Sequence, residues 1–322
     1  MSAQNALHKP VFIDYAPPLI KQKAWEFFKI SRTPSHSLLH VRSDIHLYSH
    51  DEVPSFQQDN PFLTHGYRSY LSAKQCCKSV LIKSNELVNI WTHGGMFVYL
   101  FILLFYDQFY LLSSLKASVA DHFIFLTFSV CSQACMLCSA GYHTFNCHVH
   151  EKVATRWYSV DLVGITVGML GCYMIGLYYG FYCFNMTKLF YQVIVISMIV
   201  VSISLMIHPK YLSKRWRNTR ILHLSMITIS GLLPTLHWSI VSTEMEVKLF
   251  LSSVFILYAI LGVALSFYLS KFPERYFPGR FNYIGHSHNW WHVFVAISLW
   301  HWRNFAISVL AYRLNTTCLQ TS

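Results

Sequence analysis

Seven apolar runs punctuate the chain, at roughly 90–112, 122–143, 159–181, 188–207, 219–240, 249–270 and 290–312. A helix needs about 20 residues to cross the hydrocarbon core of a bilayer, and each run reaches that length. Polar residues interrupt the second run, and Gly231 and Pro234 interrupt the fifth. Such breaks are tolerated in a bundle because neighbouring helices satisfy the freed backbone groups. The pattern predicts an all-α membrane protein, a seven-transmembrane helix bundle. Ahead of the first run, Phe62, Tyr67, Tyr70, Leu71, Val80, Leu81 and Ile82 are interleaved with Arg68, Lys74, Lys78 and Lys83. This stretch reads as an amphipathic helix lying on an anionic leaflet. The resulting division is an N-terminal region over 1–60, a juxtamembrane amphipathic segment over 61–88, the bundle over 89–312 and a short tail over 313–322.

Composition and charge refine the picture. Hydrophobic residues make up 54% of the 322-residue chain and charged residues 12%, about half the charge of a soluble domain. The net charge of +11 would suit nucleic acid, but the basic residues sit in loops between apolar runs and accompany no nucleic-acid motif, which excludes that partner. Met1–His36 holds Lys9, Lys21, Lys23, Lys29 and Arg32 without an apolar core, so targeting falls to the first membrane run. Fourteen lysines and arginines, from Arg68 to Arg280, flank the membrane on the side of the N-terminus and of the loops after runs two, four and six. Only Lys116, Lys188, Lys248, Arg303 and Arg313 lie on the other side. The positive-inside rule then places the N-terminus in the cytosol and the C-terminus in a lumen or outside. The sequons at Asn185 and Asn315 fall on that second side and agree. The nine cysteines form no disulfide framework. Cys131, Cys135, Cys138 and Cys172 lie in apolar runs as small packing residues, whereas Cys76 and Cys77 occupy a juxtamembrane position open to palmitoylation.

Candidate chemistry gathers at the cytosolic ends of three runs. His288 and His292 are spaced i, i+4, which puts both imidazoles on one helix face within reach of one ion. His143 ends the second run, and Asp161 lies in the first turn of the third. Ser139 precedes His143 by one helical turn. Ionisable residues at membrane depth are costly and mark functional sites. Three neutral imidazoles with an open fourth position form a catalytic zinc arrangement, in which the metal lowers the pKa of water and polarises a carbonyl. Asp161 is then the group that holds or deprotonates that water, and Ser139 the donor to the water or to a developing oxyanion. A purely structural zinc, or an ion pair of Asp161 without metal, are the competing readings. Glu86, Asn89 and His93 recur on one helical face before the first run and are read chiefly as anchors of that helix start. His237 reads as a core histidine. His148, His150 and His286 are weaker ligand candidates.

These residues sit in motifs that resemble the progestin and adipoQ receptor family: SNELVNIWTH at 84–93, SAGYHTFNCH at 139–148, PTLHW at 234–238 and PERYFPGRFNYIGHSHNWWH at 273–292. The resemblance covers about 44–312. It implies a seven-helix bundle with a cytosolic N-terminus and zinc (Zn2+) held by His143, His288 and His292, with Asp161 and Ser139 near the water. The first 43 residues depart from the family pattern and read as a variable extension. NPFLTHGYRSYL at 60–71, MLCSAGYH at 136–143 and LGCYMIGLYYGFYC at 170–183 look most like a Golgi-resident branch. That likeness implies a multi-pass Golgi membrane protein whose cytosolic N-terminal region sequesters Raf kinase and restrains MAP kinase signalling. The alternatives are a zinc-dependent, ceramidase-like hydrolase of ceramide or another lipid amide, and a steroid- or adipokine-type receptor.

Overall fold

The computed structural model describes residues 45–316 and Cys318. The extension over 1–43 lies outside the described residues, as does most of the tail beyond Thr316. Seven helices long and apolar enough to cross a membrane follow one another: Leu87–Ser114, Val119–Phe145, Glu151–Gly180, Asn185–Met206, Lys214–Val241, Glu244–Ser270 and Ser287–Leu314. They are called here the first to the seventh span, and each matches one of the expected runs, the third and fourth ending one residue earlier than expected.

Two expected interruptions resolve differently. The second span is unbroken from Val119 to Phe145; within it the Gln133 amide donates to Ser129 Oγ, one turn earlier, at 3.1 Å. A capping box between Ser118 and Asp121 starts it. The fifth span does break, into helices Arg217–Ser230 and Leu232–Val241. Pro234 brings no N–H, and carbonyls before the break are claimed by hydroxyls of other spans: Tyr173 donates to Ile227, and Tyr258 donates to Thr228 at 3.2 Å.

The second and third spans approach closely through small residues. A Cβ on Gly164, Gly168 or Gly171 would stand 2.7, 2.9 and 2.6 Å from the Cβ of Cys138, Cys135 and Cys131 respectively. The intramembrane cysteines thus pack as the sequence suggests, facing a glycine ladder of the kind that lets membrane helices touch. Gly171→Ala is expected to cost about 1–3 kcal/mol through overpacking, seen as a lower thermal midpoint in detergent. Cys131→Gly in the same chain should recover part of that loss.

Residues 45–86 pack at the end of the bundle where the seventh span begins, here the near end. They do not form a single amphipathic helix. Strand β1 (Leu47–Ser49) pairs antiparallel with β2 (His65–Arg68), and helix α1 is confined to Ala73–Lys78. Gly66 and Tyr70 take positive φ values of 95° and 58°, which interrupt any helix. Arg68 is 1% exposed and turns inward, donating to Ser79 Oγ at 2.6 Å and to the His143 carbonyl at 2.5 Å. That carbonyl belongs to the last turn of the second span, which lacks intrahelical partners and favours a cation. Cys76 is buried against Cys147, Sγ to Sγ 3.5 Å, so only Cys77 of the juxtamembrane pair is exposed. At the far end a disulfide joins Cys183 to Cys318, a pairing that sequence spacing did not reveal.

Candidate metal centre

The near-end turns of the second and seventh spans bring three imidazoles together. Glu274 fixes the start of the seventh span. Its fully buried carboxylate accepts from Ser287 N at 2.8 Å, from the Ser287 hydroxyl and from Asn60 Nδ2 at 3.0 Å. An anion at a helix N-terminus is favoured by the backbone dipoles. With that start fixed, His288 and His292 share one face. His288 Nε2 lies 3.4 Å from His143 Nε2 and 3.3 Å from His292 Nε2. Ligand atoms of all three residues lie within 4.8 Å of one another.

This arrangement fits a tetrahedral metal. Two nitrogens each about 2.05 Å from a tetrahedral zinc stand roughly 3.3–3.4 Å apart, the spacing His288 Nε2 keeps to each of the other two. His143 presents the correct nitrogen, because Glu86 Oε2 lies 2.7 Å from its Nδ1. A carboxylate can only accept, so Nδ1 carries the proton and Nε2 keeps its lone pair. Glu86 also accepts from Asn146 Nδ2 at 2.6 Å and from Asn89 Nδ2 at 2.7 Å. Asn89 in turn accepts from Asn289 Nδ2 at 2.8 Å. His93 stacks on His292 with ring centroids 3.9 Å apart and donates to its carbonyl at 3.3 Å.

The trio expected mainly to anchor the first span therefore touches the histidine site directly. The sequence signal was the helical spacing of Glu86, Asn89 and His93, which put them on one face without revealing what they faced. Glu86→Gln should weaken Zn2+ binding about 10–100-fold, measured by chelator competition, while leaving the fold intact.

Ser139 and Asp161 are buried and line the same cavity as the three histidines. Asp161 interacts with the Ser139 hydroxyl, but it stands outside the three-histidine cluster. His237 is satisfied by Tyr191 OH at 3.0 Å from its Nδ1, as a core histidine should be. His286 Nε2 donates to the Asn85 carbonyl at 2.9 Å, and His148 and His150 lie beside each other, rings 5.5 Å apart, outside the cluster.

The cavity has a volume of about 950 Å³ and runs from the histidines between apolar side chains such as Met169, Leu299 and Trp238 to Arg313 at the far end. Its near end carries charged side chains of both signs, Asp59 and Glu151 among them. Lys271 and Arg217 line it, and burial followed by the charge of Arg217 brings the Lys271 ammonium down to about 8.

Comparisons with known proteins bear on this architecture. The family model described as haemolysin-III related matches residues 81–302. Progestin and adipoQ receptor family member 3 of Mus musculus and that of Homo sapiens are each 41% identical over 281 residues, covering 86% of this chain and 90% of theirs. The adiponectin receptor protein of Drosophila melanogaster is 31% identical over 76% of this chain and 55% of its own length. With seven apolar spans and the histidine cluster, the chain belongs to the haemolysin-III-related family of progestin and adipoQ receptors, as a multi-pass, adiponectin receptor-like membrane protein.

Proposed function

We propose that the three histidines hold Zn2+ and that the site hydrolyses the amide bond of a lipid such as ceramide. The observation that carries this reading is the convergence of three imidazoles, with His288 Nε2 3.4 Å from His143 Nε2 and 3.3 Å from His292 Nε2, at one end of a largely apolar cavity. Zinc bound there would supply polarisation of the amide carbonyl and a lowered pKa for water. The chain's own residues do the rest. Asp161 orients the attacking water and takes its proton, which passes to the leaving amine as the C–N bond breaks. Ser139 donates a hydrogen bond to the water or to the developing oxyanion. Glu86 holds the His143 tautomer. The apolar walls seat the acyl chain and exclude bulk water. The test is fatty-acid release from ceramide by the purified, zinc-loaded chain. Release is expected; none from well-folded, zinc-bound protein would leave zinc with a structural role.

A second reading concerns the near end. Charge asymmetry supports a cytosolic near end. The Cys183–Cys318 disulfide at the far end suits an oxidising lumen. Residues 45–86 then form an ordered platform on the cytosolic face, pinned to the bundle through Arg68 and Asn60. With the resemblance of 60–71, 136–143 and 170–183 to a Golgi-resident branch, that platform supports Golgi residence and capture of Raf kinase through the N-terminal region. Full-length chain isolated from Golgi membranes should retain Raf kinase, and a chain lacking residues 1–44 should retain less. No retention by either would remove this reading without touching the hydrolytic one.

A further inference from the structure

The near end of the cavity carries two cations that make no close ion pair among the described residues. Lys271 Nζ lies 4.8 Å from the centroid of the Tyr268 ring, and the Arg217 guanidinium carbon lies 5.8 Å from the same centroid. The Tyr268 ring is in turn 5.8 Å from the His288 ring and 5.4 Å from that of Trp291. All five residues line the cavity, so two cations flank one aromatic ring beside a histidine of the site.

Neither cation is within ion-pair distance of a carboxylate among the described residues. Asp59 and Glu274 act on the two cations only at longer range, each engaged more closely elsewhere. Glu274 is fully buried and accepts from Ser287 and Asn60. Glu86 accepts from His143, Asn89 and Asn146. Asp59 pairs with Lys214 at 3.7 Å. Lys271 and Arg217 are also half-buried, where an uncompensated charge is costlier than in water. The buried arginines elsewhere in the bundle have their own partners: Arg303 pairs with Asp107, Arg313 with Glu246, and Arg220 donates to the Tyr211 and Ser213 carbonyls.

We infer that the cavity mouth recognises a phosphomonoester headgroup, held between Lys271 and Arg217, so that the lipid reaching the histidine site carries a phosphate on the end that stays at the mouth. Two cations without an ion-pair partner match a phosphomonoester, which carries about −1.5 to −2 at pH 7 and three acceptor oxygens. A carboxylate offers one charge. The guanidinium can engage phosphate oxygens in a two-pronged contact and the ammonium as a point charge. This inference rests on the reading of the cavity as a lipid site, and it names the class of lipid.

The test measures binding rather than turnover, on the full zinc-loaded chain in nanodiscs of neutral phosphatidylcholine. Ceramide phosphorylated on its primary hydroxyl should bind at least about tenfold more tightly than ceramide, equivalent to about 1.4 kcal/mol. Lys271→Gln/Arg217→Gln should bring that ratio close to one, with ceramide affinity and zinc content unchanged. Those two unchanged quantities show that the variant is folded. Lys248→Gln, at an exposed lysine paired with Glu244, should keep the preference. Equal affinity for the two ceramides in the wild type, a preference that survives in the double variant, or no saturable binding of either lipid would each overturn the inference. An equal gain with a fatty-acid anion of matched length would overturn the phosphate assignment. Inorganic phosphate competing as well as the phosphorylated lipid would overturn the lipid source. Preference without hydrolysis would leave this inference standing and remove the proposed reaction; hydrolysis of ceramide without preference would do the reverse.

Discussion

Replacing His143, His288 and His292 together by alanine is expected to take bound zinc from about one ion per chain to background, and lipid amide hydrolysis with it. The three Nε2 atoms form a compact set, and no other group of three potential metal ligands occurs among the described residues. The loss should also appear as lost stability. A ligand that binds only the folded state at 100 times its dissociation constant stabilises by about 2.7 kcal/mol. A chelator should therefore lower the thermal midpoint of the wild type and leave the triple variant unmoved. Metal content by emission spectrometry and a melting curve with and without chelator read both effects. A triple variant that still holds one zinc would place the ion elsewhere.

Asp161→Asn separates chemistry from metal binding. Asp161 lines the cavity beside Ser139 and outside the histidine cluster. The substitution should leave zinc content unchanged, because it removes no ligand. It should cut the rate of fatty-acid release by about 10²–10⁴-fold, the usual worth of a positioned general base. KM should move far less than kcat, since the carboxylate acts on the water and the acyl chain is held elsewhere. Unchanged turnover would take Asp161 out of the reaction. Loss of zinc along with activity would make it part of the metal environment instead.

Much of this architecture was legible in the sequence. Apolar runs of membrane length declare spans because backbone groups in lipid must be satisfied internally, which leaves the helix as the economical solution. The i, i+4 spacing of His288 and His292 declares a shared face for the same geometric reason. Ser139, His143 and Asp161 could be placed near one depth from span direction alone. The juxtamembrane stretch was misread as one helix. Its alternation of apolar and basic residues fits an amphipathic helix as well as a strand and a short helix, and the positive φ at Tyr70 leaves no mark in composition. Arg68 counted as a surface charge, yet it is buried on the His143 carbonyl, a contact 75 residues away in sequence. Cys183 and Cys318 are 135 residues apart, and spacing alone carries no pairing information across such a distance.

Local chemistry and periodicity were thus enough to establish a seven-span membrane bundle, the side of the membrane that its charges favour, and the residue types from which a metal site can be built. Only the tertiary structure decided that three of those histidines converge while Asp161 stands apart, that Glu86 sets the tautomer of His143, and that Lys271 and Arg217 both approach the Tyr268 ring. Those outcomes depend on which helix faces meet and at what height. Packing between distant segments sets both, through the glycine ladder of the third span and the Glu274 clamp on the seventh, and a one-dimensional pattern carries neither.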